Sequence, residues 1–245
     1  MNQLTKEFFK AEFPGWQPQQ TFDVVWQNFW TNKDIPILSL DLGLDTASSC
    51  GWIEQNQDKF AMSWPQAQSN RLDQELGHGW FKEPHSVGRQ ELHVVDHRKE
   101  PRKNLLDNQP KHGFGPGPEI HQDAVPDLRS QLQDLGFDIV SMQIAILDPG
   151  GYLEPHRDTW MNGHTMTSLW IPLNDSAANL KIWPWGLLKH CVGSVYLLNN
   201  QSFIHAIANT TDQPRYVVTG NIDYKNTPPE LMAKIKQAVK QQWFS

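Results

Sequence analysis

The sequence is poor in cysteine, in unbroken apolar runs and in net positive charge, and each shortage excludes something. Its 245 residues include 2 cysteines, Cys50 and Cys191. Two thiols cannot build a disulfide framework, and these two lack metal-ligand spacing. Both read as small, inert core residues, and a reducing cytoplasm is the expected compartment. No apolar run approaches the roughly 20 residues that cross a bilayer. Residues 1–13 mix polar and charged side chains without an apolar stretch, so no secretory leader is expected. Against 21 Lys and Arg stand 27 Asp and Glu, a formal charge of −6. That balance argues against a general nucleic-acid or anionic-membrane surface and leaves room for a local basic pocket. No repeat and no low-complexity tract is present.

What the sequence does have is tryptophan, 11 in all, several of them beside proline or glycine, which points to aromatic-lined loops or clefts. Its texture changes along the chain. Residues 1–125 are irregular, with short apolar stretches at 24–30 and 35–44 among Gln, Asn, Pro and Gly. Segment 88–103 is highly charged and reads as a solvated face, with an inward arginine that binds a substrate carboxylate as the alternative. Segment 111–118 (KHGFGPGP) reads as a loop or boundary. Helical spacing at 127–135 precedes Gly136 as its stop.

From Asp138 onward the pattern is β. Residues 139–147 (IVSMQIAIL) read as a strand and 148–151 (DPGG) as a turn. Short β-branched and aromatic runs follow at 168–173, 180–183, 194–198, 202–208 and 215–222, punctuated by Asn-Asp, Asn-Asn and Thr-Asp-Gln-Pro. This spacing suggests a sandwich or jelly-roll barrel rather than a parallel α/β sheet. A helix over 232–242, started by Pro228-Pro229, closes the chain. The expected organisation is an N-terminal region, 1–125, packed on the barrel and contributing to the substrate site. A catalytic core at 126–226 and a C-terminal helix at 227–245 complete it.

With 10 histidines and 27 acids, His-x-Asp/Glu arises about once by chance. It occurs twice. His121-Gln122-Asp123 lies before a helix start, where a surface turn or cap explains it. His156-Arg157-Asp158 leaves a strand, and there residues i and i+2 point the same way and can converge on one ion. His205, inside a later strand, is the third candidate ligand; its alternative role is a buried histidine bonded to backbone. Two imidazoles and one carboxylate on one face leave the opposite positions open, which suits non-haem Fe(II) better than a closed structural zinc. Arg215 stands ten residues after His205, at the head of the next strand. A guanidinium entering an apolar barrel is costly unless an anion meets it. A dicarboxylate that chelates the metal at one end and reaches Arg215 at the other meets that need.

The runs 144–158 (IAILDPGGYLEPHRD), 169–173 (LWIPL), 193–200 (GSVYLLNN) and 204–215 (IHAIANTTDQPR) resemble the iron- and 2-oxoglutarate-dependent oxygenases. The nearest likeness is to their aspartyl/asparaginyl β-hydroxylase-like branch, which includes the bacterial proline cis-hydroxylases. The most specific string is His205-x3-Asn209-x4-Pro214-Arg215. The resemblance spans about 137–224 and implies a double-stranded β-helix, a cupin-like jelly roll with flanking helices. It implies Fe(II) held by His156, Asp158 and His205, with Arg215 on the far carboxylate of 2-oxoglutarate. It implies a hydroxylase that uses O2 and releases succinate and CO2 while oxidising an amino acid, a peptidyl residue or a small carboxylate. Some members of the branch replace the acidic ligand with glycine; here Asp158 is present. The family commonly has a second polar or basic group on the strand ending Ile-Pro-Leu, touching the metal-side carboxylate; this sequence departs from that with Thr167-Ser168-Leu169-Trp170 and His164 just upstream, and Ser168 and His164 are the candidates.

Other features have two readings. Trp183-Pro184-Trp185-Gly186 reads as a rigid turn that plugs the barrel mouth or walls the substrate pocket. Trp160 and Asn162 lie where a substrate loop fits. Trp170, Leu198 and Val217 supply an apolar surround, with Trp170 also a candidate pocket residue. Two other functions compete: a cupin-like metal-binding module without turnover, and a metal-dependent barrel enzyme that does not use 2-oxoglutarate. No nucleic-acid or membrane partner is expected. Substrate and oligomeric state are not readable.

Overall fold

The computed structural model describes residues 17–62, 86–96, 119–158, 165–175, 179–182, 186–188 and 191–245. Its strands are β1 (Ile37–Leu40), β2 (Ala61–Met62), β3 (Ser86–Asp96), β4 (Ile139–His156), β5 (Ser168–Pro172), β6 (Asn179–Ile182), β7 (Gly186–Leu188), β8 (Val195–Leu198), β9 (His205–Ala208) and β10 (Arg215–Ile222). The helices are α1 (Phe22–Gln27), α2 (Ala47–Gln55), α3 (Pro126–Asp134) and α4 (Pro229–Val239). None of these is long and apolar enough to cross a membrane.

The strands pair antiparallel in the order β1-β8-β5-β10-β4-β9-β6-β7, and β3 adds to β4 with β2 beyond it. The first half of β4 pairs with β10 and its second half with β9. The path therefore divides into a major half, β4-β10-β5-β8, and a minor half, β4-β9-β6-β7. Successive stretches of chain alternate between the halves, so the chain winds as a double-stranded β-helix, the jelly-roll architecture that the sequence suggests.

Local chemistry explains where expectation and structure differ. The expected turn at 148–151 is a bend inside one 18-residue strand. Gly150 takes φ 73°, and a Cβ on Gly151 would lie 2.9 Å from the carbonyls of Asp148 and Val87. Only glycine lets the backbone fold that tightly without ending the ladder. Helix α3 starts at Pro126, whose fixed φ suits a first turn. Helix α4 likewise starts at Pro229, three residues before the expected position, and ends in a π turn at Lys240–Phe244. Strand β9 starts at His205 rather than residue 202, because Asn199 accepts from the Phe203 backbone and holds the preceding residues in a turn. Strand β7 was not expected, since Gly186 reads as part of a turn.

The largest correction concerns segment 88–103. Its described part belongs to β3, paired with β4 from Ser86↔Leu153 to Asp96↔Ser141. Leu92 and Val94 are buried on one side, while Glu91 and His93 are buried on the other. Arg89, Glu91 and His93 line an interior surface and do not face solvent. Residues 97–103 lie outside the described residues.

The major half has two unlike faces. Ile144 lies opposite Leu92 and Val218, Val218 opposite Ile171, and Leu169 opposite Leu197, giving an outer face of buried aliphatic side chains. They join Val25, Ile53, Leu128, Leu132, Leu231 and Ile235 of the four helices in one hydrophobic cluster. The inner face mixes apolar and polar side chains. Ser141, Gln143, Asn221, Thr219, Ser168 and Arg215 alternate with the outer set and look across at the minor half.

Candidate metal centre

His156 and His205 come from separate strands and meet because they are register partners across β4 and β9. Their ring centroids lie 4.2 Å apart at an interplanar angle of 51°. Asp158 is two residues beyond His156, and one ligand atom from each of the three lies within 4.8 Å of the other two. Among the described residues this is the only such cluster.

Each imidazole is aimed by its own backbone. His156 Nδ1 lies 2.7 Å from the Glu154 carbonyl, and His205 Nδ1 lies 3.4 Å from the Phe203 carbonyl. Donation from Nδ1 to a carbonyl two residues back leaves Nε2 unprotonated in each neutral ring, the state in which histidine binds metal. Asp158 is fixed by a reciprocal pair with Asn200. Its backbone N–H donates to the Asn200 carbonyl at 3.1 Å, and Asn200 Nδ2 donates to Asp158 Oδ2 at 2.5 Å. That leaves Oδ1 toward the histidines, 3.4 Å from His156 Nε2.

Asn200 is in turn oriented from the major half. Ser168 Oγ lies 3.0 Å from Asn200 Oδ1 and 3.3 Å from Asn221 Oδ1, and Asn221 Nδ2 donates to Ser141 Oγ at 2.9 Å. This polar chain runs from the carboxylate across the interior of the barrel. The Ser168 hydroxyl proton is committed to one of these two amides, so it is a poor donor for a further anion.

The charges follow from this geometry. Burial and the neighbouring His156 hold His205 down to about 4, so its ring is neutral around pH 7. Burial alone would lower His156, but its hydrogen bond and attraction to Asp158 prevail and raise it. Burial would raise Asp158, and the bond from His156 with the nearby His205 outweighs it, keeping the carboxylate ionised. Once a metal displaces the proton that Asp158 favours on His156, two imidazole nitrogens and one anionic oxygen form a donor set suited to a divalent ion with open positions.

Arg215 heads β10, as expected, and its residue is 1% exposed. Its guanidinium lies over the Trp170 ring at 4.9 Å, and Trp170 packs on Tyr196 at 5.3 Å. Nε and Nη2 are buried with no hydrogen-bond partner among the described residues, as is Thr219 Oγ1 on the same face. Burial, and then the charge of Arg89, lower its pKa to about 9, which still leaves it cationic at neutral pH. An orphaned cation of this kind is expensive unless an anion answers it.

Trp170, Leu198 and Val217 are buried on the inner face, as an apolar surround requires. His164, Trp160, Asn162, Trp183 and Trp185 lie outside the described residues. His121 and Asp123 stand apart from the cluster: His121 faces Glu119 at 4.0 Å and Asp123 faces Lys59 at 3.8 Å. Sequence reasoning missed Asn200, which it took for turn punctuation, and Glu91, whose alternation with Leu92 and Val94 was the available signal.

No family model and no curated protein matches the chain. Solved structures do resemble it. One is a prolyl hydroxylase from Trichoplax adhaerens in complex with a hypoxia inducible factor oxygen degradation domain peptide fragment. The identity is 12% and the TM-score 0.48, over 84% of this chain and 90% of that one. A second is an oxidoreductase of the 2OG-Fe(II) oxygenase family from Burkholderia pseudomallei, at 12% identity and TM-score 0.46, over 86% and 94%. A third is a Pseudomonas putida prolyl-4-hydroxylase, at 14% and 0.43, over 82% and 98%.

Proposed function

We propose that the chain is an Fe(II)- and 2-oxoglutarate-dependent dioxygenase of the aspartyl/asparaginyl β-hydroxylase-like branch. It hydroxylates an amino acid, a peptidyl residue or a small carboxylate and releases succinate and CO2. The observation that carries the reading is Arg215, a guanidinium with two donor nitrogens unanswered among the described residues and buried in the barrel that also brings His156, Asp158 and His205 together. A metal module needs the three ligands but gains nothing from that cation.

In this reading His156 Nε2, His205 Nε2 and Asp158 Oδ1 hold the metal, and Asn200 keeps Asp158 turned toward it. Bound ferrous ion would supply the O2 chemistry that side chains lack. Arg215 takes the distal carboxylate of 2-oxoglutarate, with Trp170 as the platform beneath its guanidinium. Ser168 acts through Asn200, and His164 remains the candidate for a second carboxylate contact. Trp160, Asn162, Trp183 and Trp185 are candidates for the substrate pocket, with residues 1–125 contributing to it around the core at 126–226 and the helix at 227–245. The inner-face apolar residues keep water from the reacting centre.

The test is anaerobic addition of 2-oxoglutarate to the protein loaded with Fe(II). A visible metal-to-ligand band, then succinate formation when O2 is admitted, is expected. Arg215→Met should weaken the band's dependence on 2-oxoglutarate while metal still binds. No band and no succinate from metal-loaded protein would leave the cupin-like module or another metal-dependent barrel enzyme as the reading.

A further inference from the structure

Among the described residues, Arg215 is one of two guanidinium-bearing residues on the inner face. Leu147 of β4 is the register partner of Arg215 on one side and of Arg89 on the other. Directly opposed residues share a face, so Arg89 and Arg215 flank one leucine from two strands away, about 10 Å between backbones. A register shift between Val87 and Arg89 sets this position. Arg89 is held in place: its Nη2 donates to Glu91 Oε1 at 2.7 Å, with the two side chains 13% and 7% exposed. The other Glu91 oxygen faces His93 Nε2 at 3.9 Å.

A structural ion pair explains this arrangement poorly. The same strand buries Leu92 and Val94 on its outer face, and aliphatic residues on the inner face would avoid the desolvation of two charges. Glu91 engages one edge of the guanidinium and so aims the remaining N–H donors, in a fork that matches a carboxylate. The charge of Arg89 is felt at Asp158 and the two histidines as well as at Arg215. Two cations on one interior face repel, and an anion between them relieves both.

We propose that Arg89, positioned by Glu91, is a second carboxylate-binding subsite of the barrel. It takes a carboxylate either of the keto acid or of the molecule that is oxidised; naming these two sources rests on the dioxygenase reading, while the subsite itself does not. Glu91 is a positioning residue and touches no ligand.

The test compares wild type with two variants that keep the site balanced. One is the double amide Arg89→Gln with Glu91→Gln, and the other is the charge swap Arg89→Glu with Glu91→Arg. Mn(II)-loaded protein is titrated calorimetrically with 2-oxoglutarate. Acetate, lactate and glycine are then titrated separately, with and without saturating 2-oxoglutarate. Both variants should weaken one of these titrations at least about tenfold, the scale of a lost charge-assisted hydrogen bond. Loss in the first assigns the carboxylate to the keto acid, and loss confined to the second assigns it to the oxidised molecule. The swap preserves an ion pair, so recovery of wild-type affinity in the swap shows a merely structural pair and overturns the subsite. Affinities that match in all three proteins overturn it too, as does a wild type that binds no carboxylate in either titration. If wild type takes up the small carboxylates but not 2-oxoglutarate, the dioxygenase reading fails and the subsite is still decided by the variants. Should the variants melt early, Arg89→Lys keeps the charge and the pairing but loses the fork, and an affinity loss of about tenfold is expected there as well.

Discussion

The two faces of the major half are built by the same strands and have opposite characters. Ile144 and Val218 point outward into the cluster shared with the helices, and Gln143, Arg215 and Thr219 point inward. Moving one residue along β4 or β10 exchanges one environment for the other. The outer face is a conventional hydrophobic core that holds the barrel together. The inner face holds groups whose burial is costly, and that cost makes sense only if something binds there. Stability and binding are thus separated by direction and not by distance.

Substitutions can test how clean that separation is. The largest effect is expected for His156→Ala or His205→Ala, each of which should abolish Mn(II) binding in a calorimetric titration; the metal-free variants should melt close to wild type. Ile144→Ala, one position from the inner Gln143, should cost about 2–5 kcal/mol in denaturant unfolding, with metal affinity unchanged in the fraction that stays folded. Arg215→Met should lower 2-oxoglutarate affinity by about 1.5–3 kcal/mol and leave unfolding stability unchanged or raised, because a buried unpaired charge gives way to an apolar chain of similar length. A marked loss of stability in this variant would show that the guanidinium supports the fold, and the contrast between faces would fail. The smallest effect, about tenfold in metal affinity, is expected for Asn200→Ala, which releases Asp158 Oδ2. Asn200→Asp, which sets a second carboxylate against Asp158, should weaken metal binding no less than the alanine.

How much of this was legible in the chain follows the same division. Most strands of the β half, β7 and the second half of β4 excepted, could be read because turn residues bracket them and the runs between are β-branched or aromatic. The triad could be read because i, i+2 spacing on a strand is local, and His205 sits in a strand of its own. Arg215 could be read because a lone cation at the head of an apolar strand is conspicuous. Strand β3 was misread because charge density took precedence over alternation: Arg89, Glu91 and His93 were counted as solvent-facing, although Leu92 and Val94 between them marked a half-buried strand. The bend at Gly150 and Gly151 was taken for the end of a strand, because glycine and proline punctuate turns and bulges alike. Asn200 could not be identified, since nothing local distinguishes an amide that terminates a strand from one that reaches 42 positions back to Asp158.

Strand β4 belongs to both halves of the barrel without interruption, and this has a mechanical consequence. The two sheets are bound along β4 as pages are bound at a spine, and separating them there would tear the ladders to β10 and β9 together. Any breathing of the interior is confined to the fore-edge, where β1 and β7 end the strand path. Amide protons of β4 should therefore exchange last and those of β7 among the first, and a bulky guest should enter from that free margin.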